Sequence, residues 1–306
     1  MIVRRNANLL DLTRYVGPRL AFLFALDLVV VAAYLLADCK WLALANSSLS
    51  VIGGVIGVIA GFRNSSAYAR WWEARTIWGS VANNSRNLAR AVLSMIGARG
   101  TGAYIQGELI ETKQKVVLLQ IAYVHALRNR LREIPPWREL TGLMPEAEIE
   151  LLRRHHNVPL AIQQNIASLL ADCHRRGWID SMQWTSLDRT LGILMDCQGA
   201  SERIKNTPMP RLYDHFIHFF ISAYCLLLPF GMVQNLRWLT PFGSTFVGFA
   251  FLALDQIGRD LEAPFENLPN DIPLTDITRT IELNLKQLLG DSVTPEPLVP
   301  VNGVLM

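Results

Sequence analysis

Three ionisable residues, Asp27, His218 and Asp255, stand inside stretches that are otherwise apolar. A carboxylate or an imidazole in hydrocarbon is costly and must face protein or water rather than lipid. Such groups can relay protons or ions; equally, they can pair with one another inside a helical bundle. For Asp27 the partnered structural role is the preferred reading. The other chemistry-bearing residue types form no constellation. There is no G-x-S-x-G, no phosphate-binding glycine loop and no H-E-x-x-H, so no catalytic residue is assigned. Gly97, Gly100 and Gly102 follow no strand and carry no lysine, and they read as a connector between helices. His155 and His156 are adjacent, point to different helical faces and mark a basic helix end rather than a metal site. Cys39, Cys173, Cys197 and Cys225 contain no C-x-x-C pair and read as small buried apolar residues, not as ligands or disulfides. No cofactor and no metal are expected.

The elements that must hold these groups are helices. Apolar residues make up 51% of the 306, and they come in blocks, which argues against a fully soluble protein. The net charge of +3 is small and no basic cluster is interleaved with aromatics, so nucleic-acid binding has no support. Leu20 to Leu36, Ser48 to Phe62, Phe216 to Val233 and Phe242 to Ile257 read as four spans, the last one short. Pro229 is expected to kink the third span or to end it early. Between the second and third spans lie helical segments over Tyr104–Leu131, Pro145–His155, Leu160–Arg175 and Asp180–Ile204, the first with Lys and Arg on a polar face. A last amphipathic helix covers Thr275–Leu289 and stops at Gly290. The fold class is therefore an all-α membrane protein. Its parts are an N-terminal arm with two spans over 1–62, a cytosolic helical region over 63–211, two spans over 212–257, and a cytosolic segment and tail over 258–306. Arginines at 4, 5, 14 and 19 and the many bases of 63–211 share one side, while the outer links carry only Lys40 and Arg237. The positive-inside rule then places both termini in the cytoplasm.

The second span has two distinct faces. Gly53, Gly57 and Gly61 recur every four residues, a spacing that lets another helix approach closely. Val51, Val55, Val58 and Phe62 form a neighbouring apolar face, suited to a narrow lumen; on spacing alone the preferred reading is a glycine-rich helix buried in a bundle. The helix continues without a break past Phe62 towards Arg90.

Gly61-Phe-Arg-Asn64 followed by Ala67-Tyr-Ala-Arg-Trp-Trp-Glu-Ala-Arg75 resembles the signature of the bestrophin family, and most of all its bacterial homologues. Ala126-Leu-Arg128, Asn157-Val-Pro159, Glu202-Arg-Ile204, Asn206-Thr-Pro-Met-Pro210 and Asp260-Leu-Glu262 agree with it in order along nearly the whole chain. The resemblance implies a homopentameric ion channel of the bacterial inner membrane, with the second span lining one axial pore. Its partners are then copies of itself, the lipid bilayer and small monovalent ions. Carried over by the Gly-Phe match, the neck is Phe62, then Val58 and Gly54. Gly54 departs from the bulky residues of the family, leaving a wider outer neck or passing the role to Val55. A cytosolic exit constriction falls near Leu191. Glu73 continues the pore face and would favour cations there, the slightly preferred sign; Arg63 and Arg70 would favour anions. The acidic run of the calcium-binding family members is reduced to Glu266 and Asp271, so no calcium clasp and no calcium requirement are expected. A secondary transporter and a membrane-anchored scaffold or sensor remain as alternatives; an enzyme is not expected.

Overall fold

The structure, a computed structural model, describes residues 9–97, 103–291, 296–300 and 305. Arg4, Arg5, Gly100, Gly102 and most of the tail from Val301 lie outside the described residues. Among the described residues there are ten α-helices and no strand, in keeping with the all-α expectation. The chain divides into two compact units. One comprises Arg4–Trp71 with Pro208–Ala263, and the other Trp72–Thr207 with Pro264–Met306. The sequence-based domains follow expected membrane boundaries, whereas these units follow packing, so the turns just past Phe62 belong with the apolar helices.

Three segments are long and apolar enough to cross a membrane: Val16–Leu35, Leu49–Met95 and Asp214–Glu262. The first lies in α1 (Leu9–Leu35) and the second in α2 (Asn46–Met95). The third holds two helices, α8 (Arg211–Leu236) and α9 (Thr240–Glu262), joined by a 3-10 turn at Arg237–Leu239. These two run antiparallel. The Tyr224 and Phe251 rings meet edge to face at 5.1 Å, and a Cβ on Gly243 would come within 2.7 Å of Leu236 Cδ1. Leu23, Ile56, Ile221, Cys225 and Leu252 fill the core among α1, α2, α8 and α9. Pro229 does not end α8, which runs on to Leu236. One missing N–H is tolerated in a helix whose neighbours re-satisfy the freed backbone group.

In the second unit, α3 (Ala103–Leu131) differs from its sequence reading. It is buried nearly all round from Val116 to Asn129, so it is the central helix rather than an amphipathic surface one. Its polar side chains each tie down another helix. Gln120 Nε2 donates to Ser85 of α2 at 2.9 Å, and Tyr123 Oη to the Leu194 carbonyl of α7 (Ser181–Asn206) at 2.9 Å. His125 meets Glu282 of α10 (Leu274–Leu289) at 3.1 Å. Arg128 donates to Thr278 of α10 at 3.1 Å and to Glu139 of α4 (Trp137–Leu140) at 2.6 Å. The short α5 (Glu146–Leu152) leads into α6 (Val158–Arg175), which buries Ile162, Ile166 and Leu170 and is capped by Asn157, which accepts from Leu160 N at 3.2 Å. A capping box of Asp180 and Gln183 opens α7, and Gly290 closes α10 at φ 81°.

Candidate functional site

At about 1.5 Å per residue, the 50 residues of α2 reach about 75 Å, more than twice a hydrocarbon thickness of about 30 Å. Among the described residues, a single row of this helix is buried from Leu49 to Val81. That row descends by threes and fours, with one step of seven after Ala67, through Leu49, Gly53, Ile56, Ala60, Arg63, Ala67, Ala74, Trp78 and Val81. Small residues recur in it every seven positions, at Gly53, Ala60, Ala67 and Ala74. A Cβ on Gly53 would collide with the Tyr224 ring. The four-residue series Gly53, Gly57, Gly61 departs from this row. Gly57 only touches Phe251 at 4.0 Å, and Gly61 is exposed with open space beside it. The drift arises because four residues overshoot one helical turn of 3.6.

The expected neck residues lie on the uncovered side. Val51, Val55, Val58 and Phe62 are 68%, 55%, 59% and 67% exposed, a continuous apolar row. Gly54 is exposed, with nothing within 4 Å of an added Cβ. Below Phe62 the same side presents Ser66, Ala69 and Glu73, all exposed.

The three arginine and glutamate positions are brought into different settings. Glu73 is exposed but answered by Arg203 at 2.7 Å. Arg70 is half-buried, and its Nε donates to the Glu262 carbonyl at 2.8 Å. Arg63 is 1% exposed and does not present its charge to solvent. Its guanidinium donates to Asp255 Oδ1 at 3.1 Å, to the Asp255 carbonyl at 3.1 Å, and to Asp214. Glu262 lies 3.9 Å away. The reading of Arg63 as a vestibule charge is therefore corrected: a side chain beginning on the buried row of α2 is turned inward, where two carboxylates receive it. Leu191 needs a similar correction. It is 6% exposed and packs into the core of its own unit, while Ile193, two residues on, is the apolar side chain left 38% exposed.

The intramembrane ionisable groups do not converge on a path. Asp255 is buried and joins Arg63, His218 at 2.8 Å and Arg259 at 2.7 Å. Asp27, also buried, accepts from Ser244 and Thr245 at 3.0 Å each. Asp214 and Arg259 are new to the site, and Glu262 and Arg203, which stand within the family landmarks, gain a role as charge partners. Arg259 carried a signal, since it stands four residues after Asp255 on one helix. The others are distant in sequence from their partners and carried none.

Among the described residues no group of three or more His, Cys, Asp or Glu is arranged to hold a metal. Glu266 pairs with Lys205 at 2.7 Å, and Asp271 Oδ2 accepts from Leu268 N at 3.0 Å. Burial pushes the Asp271 carboxyl up to about 6, against the backbone hydrogen bonds that lower it. His155 and His156 are exposed in the α5–α6 connection. Cys173, Cys197 and Cys225 are buried and Cys39 is half-buried; all four are free thiols.

Residues 11–287 match the family model described as Bacterial/Fungal Bestrophin protein. The chain is 33% identical over 278 residues to a voltage-dependent anion channel-forming protein of Ralstonia nicotianae, covering 90% of this chain and 87% of that protein. A protein of the same description from Nostoc is 35% identical over 234 residues, covering 76% and 74%. The crystal structure of a bacterial bestrophin homologue from Klebsiella pneumoniae superposes with a TM-score of 0.84 at 27% identity, over 91% of this chain and all of that one.

Proposed function

The chain belongs to the bacterial and fungal bestrophin family, and from that premise we propose that it is an ion channel. In this reading five copies surround one axial path and small monovalent ions cross passively. It is not an enzyme, and its opening does not require calcium. Four helices, α1, α2, α8 and α9, span the bacterial inner membrane, with both termini and the α3–α7 and α10 helices in the cytoplasm. The observation that carries the reading is the uncovered row Val51, Val55, Val58 and Phe62 on a helix whose opposite row is packed. Such a row must meet lipid, other copies or a lumen. Five of them around an axis make an apolar neck that holds ions back by dewetting. Gly57 and Gly61 are then available to neighbouring copies, and Ile193 replaces Leu191 as the apolar candidate for the exit constriction.

An apolar neck sets no charge preference, so the sign of the ion falls to the mouths. The names of the relatives favour anions. Glu73, which alone would favour cations, is matched by Arg203. Anion conduction is therefore placed first. The test is the reversal potential of purified protein in a planar bilayer under a salt gradient, with Phe62→Ala beside it. Wild type should reverse near the anion's equilibrium value, and the variant should carry a several-fold larger conductance. An intact oligomer that passes no current would return the scaffold reading, and flux that saturates with an ion gradient would return the transporter.

A further inference from the structure

A groove of about 340 Å³ lies on the apolar unit, lined by Pro18, Arg19, Phe22, Ser222, Leu226 and Leu252 among others. We propose that it holds an anionic phospholipid, with one acyl chain along the groove and the phosphate on Arg19. The argument starts from the charge. Arg19 stands about one helical turn inside the apolar segment that begins at Val16, and its side chain is exposed. No carboxylate among the described residues pairs with it, whereas Asp214, Asp255 and Glu262 of the same unit are committed to Arg63 and Arg259. An arginine at that depth needs a counter-ion or must reach back to the headgroup level. A phosphate supplies both the opposite charge and the geometry that a guanidinium fork accepts.

The surroundings match the rest of the molecule. Phe22 is 62% and Leu226 40% exposed, and they flank the groove with apolar surface. Ser222 adds a hydroxyl within the lining. Pro18 sits inside α1 and removes the N–H that would serve the carbonyl four residues earlier, so this turn of the helix is not sealed against a polar group. In sequence Arg4, Arg5 and Arg14 precede Arg19, and a basic segment next to a span attracts anionic lipid. The occupant is thus a lipid of the leaflet on the N-terminal side.

Native mass spectrometry of the purified protein, titrated separately with phosphatidylglycerol and phosphatidylcholine, tests this without any current being measured. Wild type should retain phosphatidylglycerol about fivefold better, the ratio that one arginine at an anionic surface gives. Arg19→Gln should bring the ratio to about one. Leu226→Trp, placed at an exposed position, should fill the groove and lower retention of both lipids. Equal retention of the two lipids by wild type overturns the proposal, as does an unchanged ratio in Arg19→Gln. If Arg19→Gln yields no folded protein, unchanged retention in Leu226→Trp decides against it. A channel that conducts yet shows no lipid preference would leave the proposed function standing and remove this site alone.

Discussion

Phe62 and Arg63 are neighbours on α2, yet the aromatic ring is 67% exposed and the guanidinium 1%. In a water-soluble domain the two environments would be exchanged. The inversion has a physical reason on each side. Arg63 begins on the buried row of this part of α2, and Asp214 and Asp255 meet it there. Phe62 begins on a row that none of the described residues covers. The buried row anchors the helix, and the uncovered row is left for whatever lies outside the subunit. A ring exposed on such a helix costs little when its surroundings are lipid, other copies or a dewetted neck, because none of these hydrates it.

Breaking the buried side should give the largest effect. Asp255→Ala leaves Arg63 without its fully buried partner, and removing one member of a buried pair costs about 3–5 kcal/mol. The variant should elute as aggregate or melt far below wild type in detergent. Replacing both members, Arg63→Met with Asp255→Leu, should recover part of the loss, since the buried guanidinium is no longer unpaired although Asp214 and Arg259 each lose a partner. A double variant no more stable than Asp255→Ala would mean that the pair acts through something other than its charges.

The adjacent glycines sharpen the same contrast at a smaller scale. Gly53→Ala places a methyl group against Tyr224 and should cost about 1–3 kcal/mol in a packed interior. Gly54→Leu meets open space and should leave the melting temperature almost unchanged. It should instead lower single-channel conductance, because it restores a bulky apolar residue two turns before Phe62. If the two substitutions destabilise alike, the rows have been assigned to the wrong sides of the helix.

Much of this helix was readable before the structure. The spacing of Val51, Val55, Val58 and Phe62 marks one face by arithmetic alone. Burial of charge was not readable. Arg63 directly follows an apolar run, where an arginine ordinarily reaches for water, and its partners lie 151 and 192 residues away. The same limit explains α3. Arg128 suggests a solvated face until Glu139 and Thr278 close around it. Leu191 fails for the opposite reason: an apolar residue on a helix looks alike whether it faces a core or a lumen, and here Ile193 takes the outer position.

Asp271 extends the comparison to a buried carboxylate that has no arginine. It is 2% exposed, and its Oδ1 lacks a hydrogen-bond partner. Burial holds its pKa at about 6 against an ordinary value of 3.8. Between these values the folded chain binds a proton that the unfolded chain has lost, so stability falls as pH rises from about 4 to about 6 and stays lower above that. Asp271→Asn removes the penalty while keeping an acceptor for Leu268 N. It should stabilise the protein by about 1–3 kcal/mol at pH 8 and by almost nothing at pH 4. An equal gain at both pH values in chemical denaturation would mean that the carboxyl is not the source.

The smallest stability effect is expected at the exposed pair of Glu73 and Arg203, whose side chains are 48% and 65% exposed. A pair of that exposure contributes about 0–1 kcal/mol, so Arg203→Gln and Glu73→Gln should both melt close to wild type. Their effect on current should be opposite in sign. Arg203→Gln frees the Glu73 carboxylate on the side that continues from Phe62, and the reversal potential should move towards the cation's value. Glu73→Gln frees the guanidinium and should move it towards the anion's. Both shifts should shrink at high salt, since the Debye length falls from about 10 Å at 0.1 M to about 3 Å at 1 M. Shifts of the same sign, or none in either variant at low salt, would place this pair away from the ion path and leave the uncovered apolar row as the only part of α2 that ions meet.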